Sequence, residues 1–169
     1  MRLGRSRAAD VQGATQPPAP EFAGVSRWLN VDGPMSLRAL RGSVVLIEFW
    51  TLGCNNCVRT LPFMLEMDAR SRRHGLVVIG VHTPEFWRET GTGVVRAASV
   101  RHGLSYAVGL DNAHATWNAY GVEFWPTMFV VNRHGAIARR HIGEGGYTQT
   151  ERVINRLLPT PAPSLLDAA

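Results

Sequence analysis

The sequence predicts one α/β domain, with a central mixed sheet covered by helices on both faces. Three observations lead there. Two nearly continuous apolar runs, Val44–Trp50 and Leu76–His82, have the length and character of buried parallel strands. Segments with helical spacing follow each of them. Two β-rich runs joined by a tight turn, then an amphipathic helix, close the chain.

The elements follow in order. Val44–Trp50 is the first strand. A helix is expected over 54–74, with Leu61, Met64 and Leu65 at helical spacing; Gly75 ends it and Pro62, inside it, kinks it. Leu76–His82 is the second strand. Residues 84–102 look helical but are weakened at Gly91 and Gly93, which predicts two pieces. Asp111 or Asn112 is placed to cap a short helix through Trp117 to Tyr120. Strands at 127–131 and 136–142 flank Asn132-Arg-His-Gly135, a hairpin-like turn. A glycine loop at 143–146 precedes Thr148-x-x-Glu151, which reads as a capping box. Val153, Ile154, Leu157 and Leu158 then give the last helix its apolar face. The order is β-α-β-α-(α)-β-β-α, with no internal repeat.

The composition narrows the function. The chain has 169 residues, 45% of them hydrophobic and 18% charged, which fits a folded globular domain. All 18 basic residues are arginine. Without lysine there is no Walker lysine and no Schiff-base lysine, and no intact G-x-G-x-x-G is present. The net charge is +5, but the arginines are scattered and no aromatic-plus-basic module accompanies them, so nucleic acid is not an expected partner. Residues 1–18 read as a disordered Arg/Pro/Ala-rich tail, 19–159 as the domain, and 160–169 as a flexible tail. No apolar core of about 7–15 residues follows the first arginines, and no run approaches the ~20 residues of a membrane span. By sequence alone the chain is soluble, without stable membrane insertion, cytoplasmic and monomeric.

The only two cysteines form Cys54-Asn-Asn-Cys57, where a strand ends and a helix begins. That is the edge of an open α/β sheet where ligands bind. A helix N-terminus stabilises a thiolate at Cys54. Cys57 lies one turn inside the helix, less exposed but within disulfide reach. Cys54 is therefore the expected attacker and Cys57 the resolving thiol. A purely structural disulfide is a poor reading, because so short a loop removes little entropy from the unfolded chain. Two cysteines also fall short of a four-cysteine zinc site. A copper or zinc carrier using both cysteines and a histidine is a non-enzymatic alternative.

Glu48 sits inside an apolar strand, which is costly unless it is paired or protonated. A desolvated acid there is suited to take the Cys57 proton; pairing with an arginine is the competing role. Pro126 stands at the start of a strand after two aromatics, a position proline tolerates. His82 ends the second strand on the Cys54 edge, where it either tunes the thiolate or caps a loop.

Phe49-Trp-Thr-Leu-Gly-Cys54-Asn-Asn-Cys57, with Pro62 beyond it, resembles the active-site segment of the thioredoxin superfamily. Ala19-Pro-Glu-Phe22 and the stretch 37–46 resemble its TlpA-like branch. Gly80-Val-His-Thr-Pro-Glu85, Leu110-Asp-Asn112, Ala115-Thr-Trp117 and Trp125-Pro126 are closer still to the thioredoxin-like domain of DipZ-type proteins. The resemblance covers roughly residues 19–158 in motif order. It implies a thioredoxin-like fold with a TlpA/peroxiredoxin-type N-terminal extension, no bound cofactor, and exchange with protein dithiols and disulfides. Glu48 matches the family's buried acid, usually Asp. Pro126 matches its cis-proline, flanked by Trp125 and Thr127, which with Trp50 and His82 are the expected substrate contacts. A reductase is implied, recharged by a membrane thiol carrier of the CcdA/DsbD type, with cytochrome c maturation or envelope redox homeostasis as settings and an extracytoplasmic location. The alternative is a thiol peroxidase with Cys54 as the peroxidatic cysteine. Thr51-x-x-Cys54 matches the end of P-x-x-x-T-x-x-C, although Ile47 stands where that motif has proline.

Overall fold

The computed structural model describes residues 16–160 and 162. Most of the two expected tails therefore lies outside the described residues. Within them, Pro18 already bridges to Ala136, and Ala162 is buried.

Six strands form one sheet: β1 (Arg27–Leu29), β2 (Val44–Trp50), β3 (Leu76–His82), β4 (Ala107–Leu110), β5 (Thr127–Val131) and β6 (Ile137–Ile142). Their spatial order is β1-β4-β3-β2-β5-β6. The central strand β2 runs parallel to β3 and antiparallel to β5. β4 extends the parallel part, while β1 and β6 pair antiparallel at the two edges. The helices are α1 (Asn55–Ser71), α2 (Thr92–Arg101), α3 (Ala115–Ala119) and α4 (Tyr147–Leu157).

Alternation along β2 divides the core. Val44, Leu46 and Trp50 pack with Cys57, Leu61 and Met64 of α1, Val95 of α2 and Ile154 of α4. Val45, Ile47 and Phe49 face the other way, toward Phe22, Trp117 and Tyr120. Phe49 packs against Trp117, Tyr120 and Phe129 with ring centroids 5.2–6.1 Å apart. Every residue of β2 is buried, as its unbroken apolar run requires.

The two apolar runs fold as the expected strands, and α1 carries on through a short 3-10 turn, Arg72–His74, to a left-handed Gly75. The segment after β3 splits into a 3-10 turn, Trp87–Glu89, and α2, as the glycines predict. The hairpin turn is tied by Asn132, whose side-chain oxygen accepts from the N–H groups of His134 and Ala136. Asp111 caps α3 from a distance. Its carboxylate accepts from Thr116 N (3.2 Å) and Trp117 N (2.8 Å), while His114 occupies the N-cap position itself.

Two expectations need correction. β1 and β4 were not expected. They have three and four residues, too short for a periodicity signal, and β4 holds Gly109, where the Trp28 ring lies close against the backbone. The Thr148-x-x-Glu151 capping box does not form. α4 begins two residues earlier than that cap would set it, at Tyr147, with Gly146 as N-cap and no side-chain cap, so Thr148 is already inside the helix.

β6 is an exposed edge carrying Arg139, Arg140 and His141. Charged edge strands of this kind resist pairing with other chains.

The buried Asp111 cap yields a stability test. Asp111→Ala leaves two backbone N–H groups without their acceptor and should lower the unfolding free energy by about 2 kcal/mol in urea denaturation.

Candidate active site

The site is built where β2 gives way to α1. Trp50 ends the strand, and its carbonyl accepts from Thr83 N at 3.0 Å, fastening the neighbouring loop. The chain then turns through Thr51, Leu52 and Gly53, with Cys54 N donating to Thr51 O at 3.4 Å. Cys54 is the N-cap of α1, in an extended conformation. Its sulfur accepts from the N–H of Cys57 at 3.1 Å, a cap made with sulfur in place of oxygen. Cys54 and Cys57 are joined as a disulfide, with Cα atoms 5.2 Å apart. Cys57 has no exposed surface, whereas Cys54 keeps part of its own.

Glu48 lies between Leu46 and Trp50 on the α1 face of β2, paired across the sheet with Gly80 and Met128. It is fully buried, and neither carboxylate oxygen has a hydrogen-bond partner among the described residues. Burial holds its pKa well above the usual carboxylate range. Tyr106 is close by. Its hydroxyl is pushed up first by burial and then by the charges of Glu48 and Asp68. Gly80 makes room for this group: a Cβ there would stand 3.0 Å from Trp50 Nε1 and 3.3 Å from the Tyr106 ring. Among the described residues no arginine pairs with Glu48, which gives the competing role as an ion-pair partner no support there.

His82 stands beside Trp50 in the β2–β3 register, edge-on to the indole at 5.3 Å. Burial lowers its pKa to about 4, with the Glu89 charge pulling the other way. The ring is therefore neutral at pH 7. Neither ring nitrogen finds a partner among the described residues, so the ring does not cap the following loop.

The Trp125–Pro126 peptide is cis. Pro126 O accepts from Gly143 N at 2.8 Å, and Thr127 Oγ1 donates to Phe124 O at 2.7 Å. Trp125 is half-buried, its ring tilted against that of Trp117 with centroids 4.3 Å apart. Of the four expected substrate contacts, only Trp125 keeps exposed surface. Trp50, His82 and Thr127 are 0% exposed and stand behind the site instead of on its rim. That rim is aromatic: Phe86 and Trp87 on the loop after β3 and Phe124 before Trp125 are all exposed.

Sequence reasoning missed Glu89. It is buried, and its Oε2 accepts from the Thr51 hydroxyl and from Glu85 N. An acid in a short polar turn gives no local sign of burial. The glycine loop holds no isolated turn either: its Glu144 carboxylate accepts from Arg59 Nε at 2.8–2.9 Å, joining it to α1. Among the described residues, no three His, Cys, Asp or Glu side chains gather to hold a metal ion, and no helix is long and apolar enough to cross a membrane.

A Cys-x-x-Cys disulfide at a helix N-terminus, on the edge of this sheet, beside a cis-proline, defines a thioredoxin-like thiol–disulfide oxidoreductase. Comparisons agree. Residues 15–140 match the AhpC/TSA family, and the chain belongs to that family and to the TlpA-like branch of the thioredoxin superfamily. It is 39% identical over 149 residues to the protein DipZ of Mycobacterium bovis, covering 87% of this chain and 21% of DipZ. The chain thus spans about a fifth of that relative's length. It is 28% identical over 142 residues to the thiol-disulfide oxidoreductase YkuV of Bacillus subtilis, covering 83% of this chain and 94% of YkuV. The crystal structure of a thioredoxin-like superfamily protein superimposes with a TM-score of 0.79 at 25% identity, covering 87% of this chain and 99% of that one.

The unequal exposure of the two sulfurs is directly measurable. In the reduced protein, iodoacetamide should modify Cys54 at least about tenfold faster than Cys57, read by peptide mass spectrometry.

Proposed function

We propose that this chain reduces disulfide bonds in protein clients. The observation that carries the reading is the pairing of a partly exposed Cys54 with a buried Cys57, next to a strand whose buried Glu48 has no hydrogen-bond partner among the described residues. The Cys54 thiolate attacks one client sulfur, the client S–S bond breaks, and the first client thiolate leaves. Cys57 then gives its proton to the Glu48 carboxylate and attacks the Cys54 sulfur. The second client thiolate departs and the Cys54–Cys57 disulfide remains, two electrons having passed to the client. Burial makes Glu48 a stronger base than an ordinary carboxylate, which suits it to a thiol proton.

Proteins are the favoured clients because the rim offers aromatic surface at Phe86, Trp87, Phe124 and Trp125, with the backbone around Pro126 available to an extended segment. The two electrons must return from a dithiol donor. In the proposed cycle a membrane thiol carrier of the CcdA/DsbD type supplies them outside the cytoplasm, to a chain acting as a monomer. The peroxidase alternative fares worse. Ile47 is a buried β2 residue where that motif has its proline, and the Thr51 hydroxyl is already given to Glu89.

The deciding experiment is insulin reduction with dithiothreitol. The wild-type chain should accelerate precipitation, and Cys54→Ser should abolish the acceleration. Cys57→Ser should trap a mixed disulfide with insulin and should not turn over with peroxide. A flat turbidity trace with the reduced wild type overturns the proposal; a peroxide burst from Cys57→Ser favours the peroxidase.

Glu48→Gln separates the acid's two effects. Resolution of the mixed disulfide should slow about 10- to 100-fold. Stability should move the opposite way. Because the folded pKa is raised, native Glu48 stabilises least above the unfolded carboxylate pKa near ~4.3, where the unfolded chain ionises freely. Gln should therefore stabilise the fold by about 1 kcal/mol or more at pH 8, and that gain should vanish as the pH falls below ~4.

A further inference from the structure

The loop between β3 and α2 turns a second carboxylate inward. Thr83 N donates to Trp50 O, and Glu89 N donates to Phe86 O, which curls the chain into the 3-10 turn. Glu89 is left only 4% exposed. Its Oε2 accepts from the Thr51 hydroxyl and from Glu85 N at 3.0 Å. Its Oε1 lies against Gly53, where a Cβ would stand 2.8 Å away. Among the described residues no cation forms an ion pair with it: Arg88, its neighbour, lies over the Phe86 ring at 4.4 Å. A buried carboxylate without a cation is costly to keep, and this one abuts the turn that presents Cys54.

We propose that Glu89 is a positioning residue for the Cys54 nucleophile, holding the Thr51–Cys54 turn by its hydrogen bonds and opposing the Cys54 thiolate by its charge. This rests on Cys54 being the attacking thiol. The hydrogen-bonded turn closes through Cys54 N to Thr51 O, so fixing the Thr51 side chain fixes the approach to the sulfur. The charge counters the helix N-terminus, which alone favours the thiolate. A less stabilised thiolate makes the dithiol a stronger reductant. Besides Glu89, the charged or titratable groups on the elements meeting there are Glu48 on β2, His82 on β3, Arg59 near the start of α1 with Glu66, Asp68 and Arg70 two turns or more further along it, and Glu85 and Arg88 on the same loop. Arg59 is engaged by Glu144, and His82 is neutral at pH 7, so neither cancels the Glu89 charge.

The test is Glu89→Gln, which keeps a hydrogen-bond acceptor and removes the charge. The alkylation profile of Cys54 should move down by about one pH unit, giving about tenfold more thiolate below the midpoint. Against dithiothreitol at pH 9, where thiolates are populated, the equilibrium should shift up to about tenfold toward the dithiol, which is ~30 mV for this two-electron couple. Glu89→Asp, which retains the charge, should stay within about twofold of wild type. Gly53→Ala should shift both readings in the same direction as Glu89→Gln, because its methyl group displaces the carboxylate without altering it. It carries the test if Glu89→Gln fails to fold. The proposal is overturned if Glu89→Gln, or failing that Gly53→Ala, matches wild type in both readings, or if Glu89→Asp shifts them as far as Glu89→Gln does. These readings use only small thiols. A protein that cycles with dithiothreitol yet leaves insulin intact ends the protein-reductase reading without touching this one.

Discussion

The hydrogen bond from Cys57 N to Cys54 Sγ is the point on which strand, helix and chemistry converge. The first turn of any helix has N–H groups without partners, and a cap must satisfy them. Here the cap is the reacting atom. α1 is thereby started by a sulfur of the redox pair, and the same free N–H groups favour negative charge there. One constraint also separates the two cysteines in exposure. The N-cap lies outside the helix barrel, while the residue three positions on turns into the core beside Leu61 and Met64.

β2 supplies the other half of the site. A strand buried on both faces leaves no solvated position, so an acid in it must meet the core. Glu48 meets it on the side shared with Cys57, where Gly80 opens space and Tyr106 and Trp50 close it. Glu89 stands on the far side of the same turn, bonded to Thr51. The strand-to-helix turn that carries Cys54 thus has one buried carboxyl on the strand leading into it and another bonded to its Thr51. Their environments differ: the first has no hydrogen-bond donor among the described residues, the second has two. Such contrast is how two acids of one site come to play separate parts.

Much of this was legible in the residues. Val44–Trp50 and Leu76–His82 were readable because seven consecutive buried or nearly buried positions leave a signal that local propensity cannot mask. The redox pair was readable because C-x-x-C at a strand-to-helix junction has few competing explanations. β1 and β4 were not, since three or four residues at a sheet edge owe their form to the partner strand. Thr148 and Glu151 have the spacing of a cap, yet Gly146, with φ of 65°, starts α4 earlier. Glu89 was hidden for a different reason. Its burial comes from Thr51, 38 positions away, and no local pattern encodes that meeting. The full burial of Trp50, His82 and Thr127 was not legible either, because proximity to a sheet edge does not determine which side chains the loops cover.

β6 has a consequence beyond its own pairing. Past the bridge that Pro17 and Pro18 make to Ala136 and Ile137, its outer side has no partner strand among the described residues, with Arg139 and Arg140 in mid-strand. Two copies meeting margin to margin would set guanidinium against guanidinium, and like charges directly opposed weaken such a ladder. The repulsion discourages fibre-like stacking of one copy on the next.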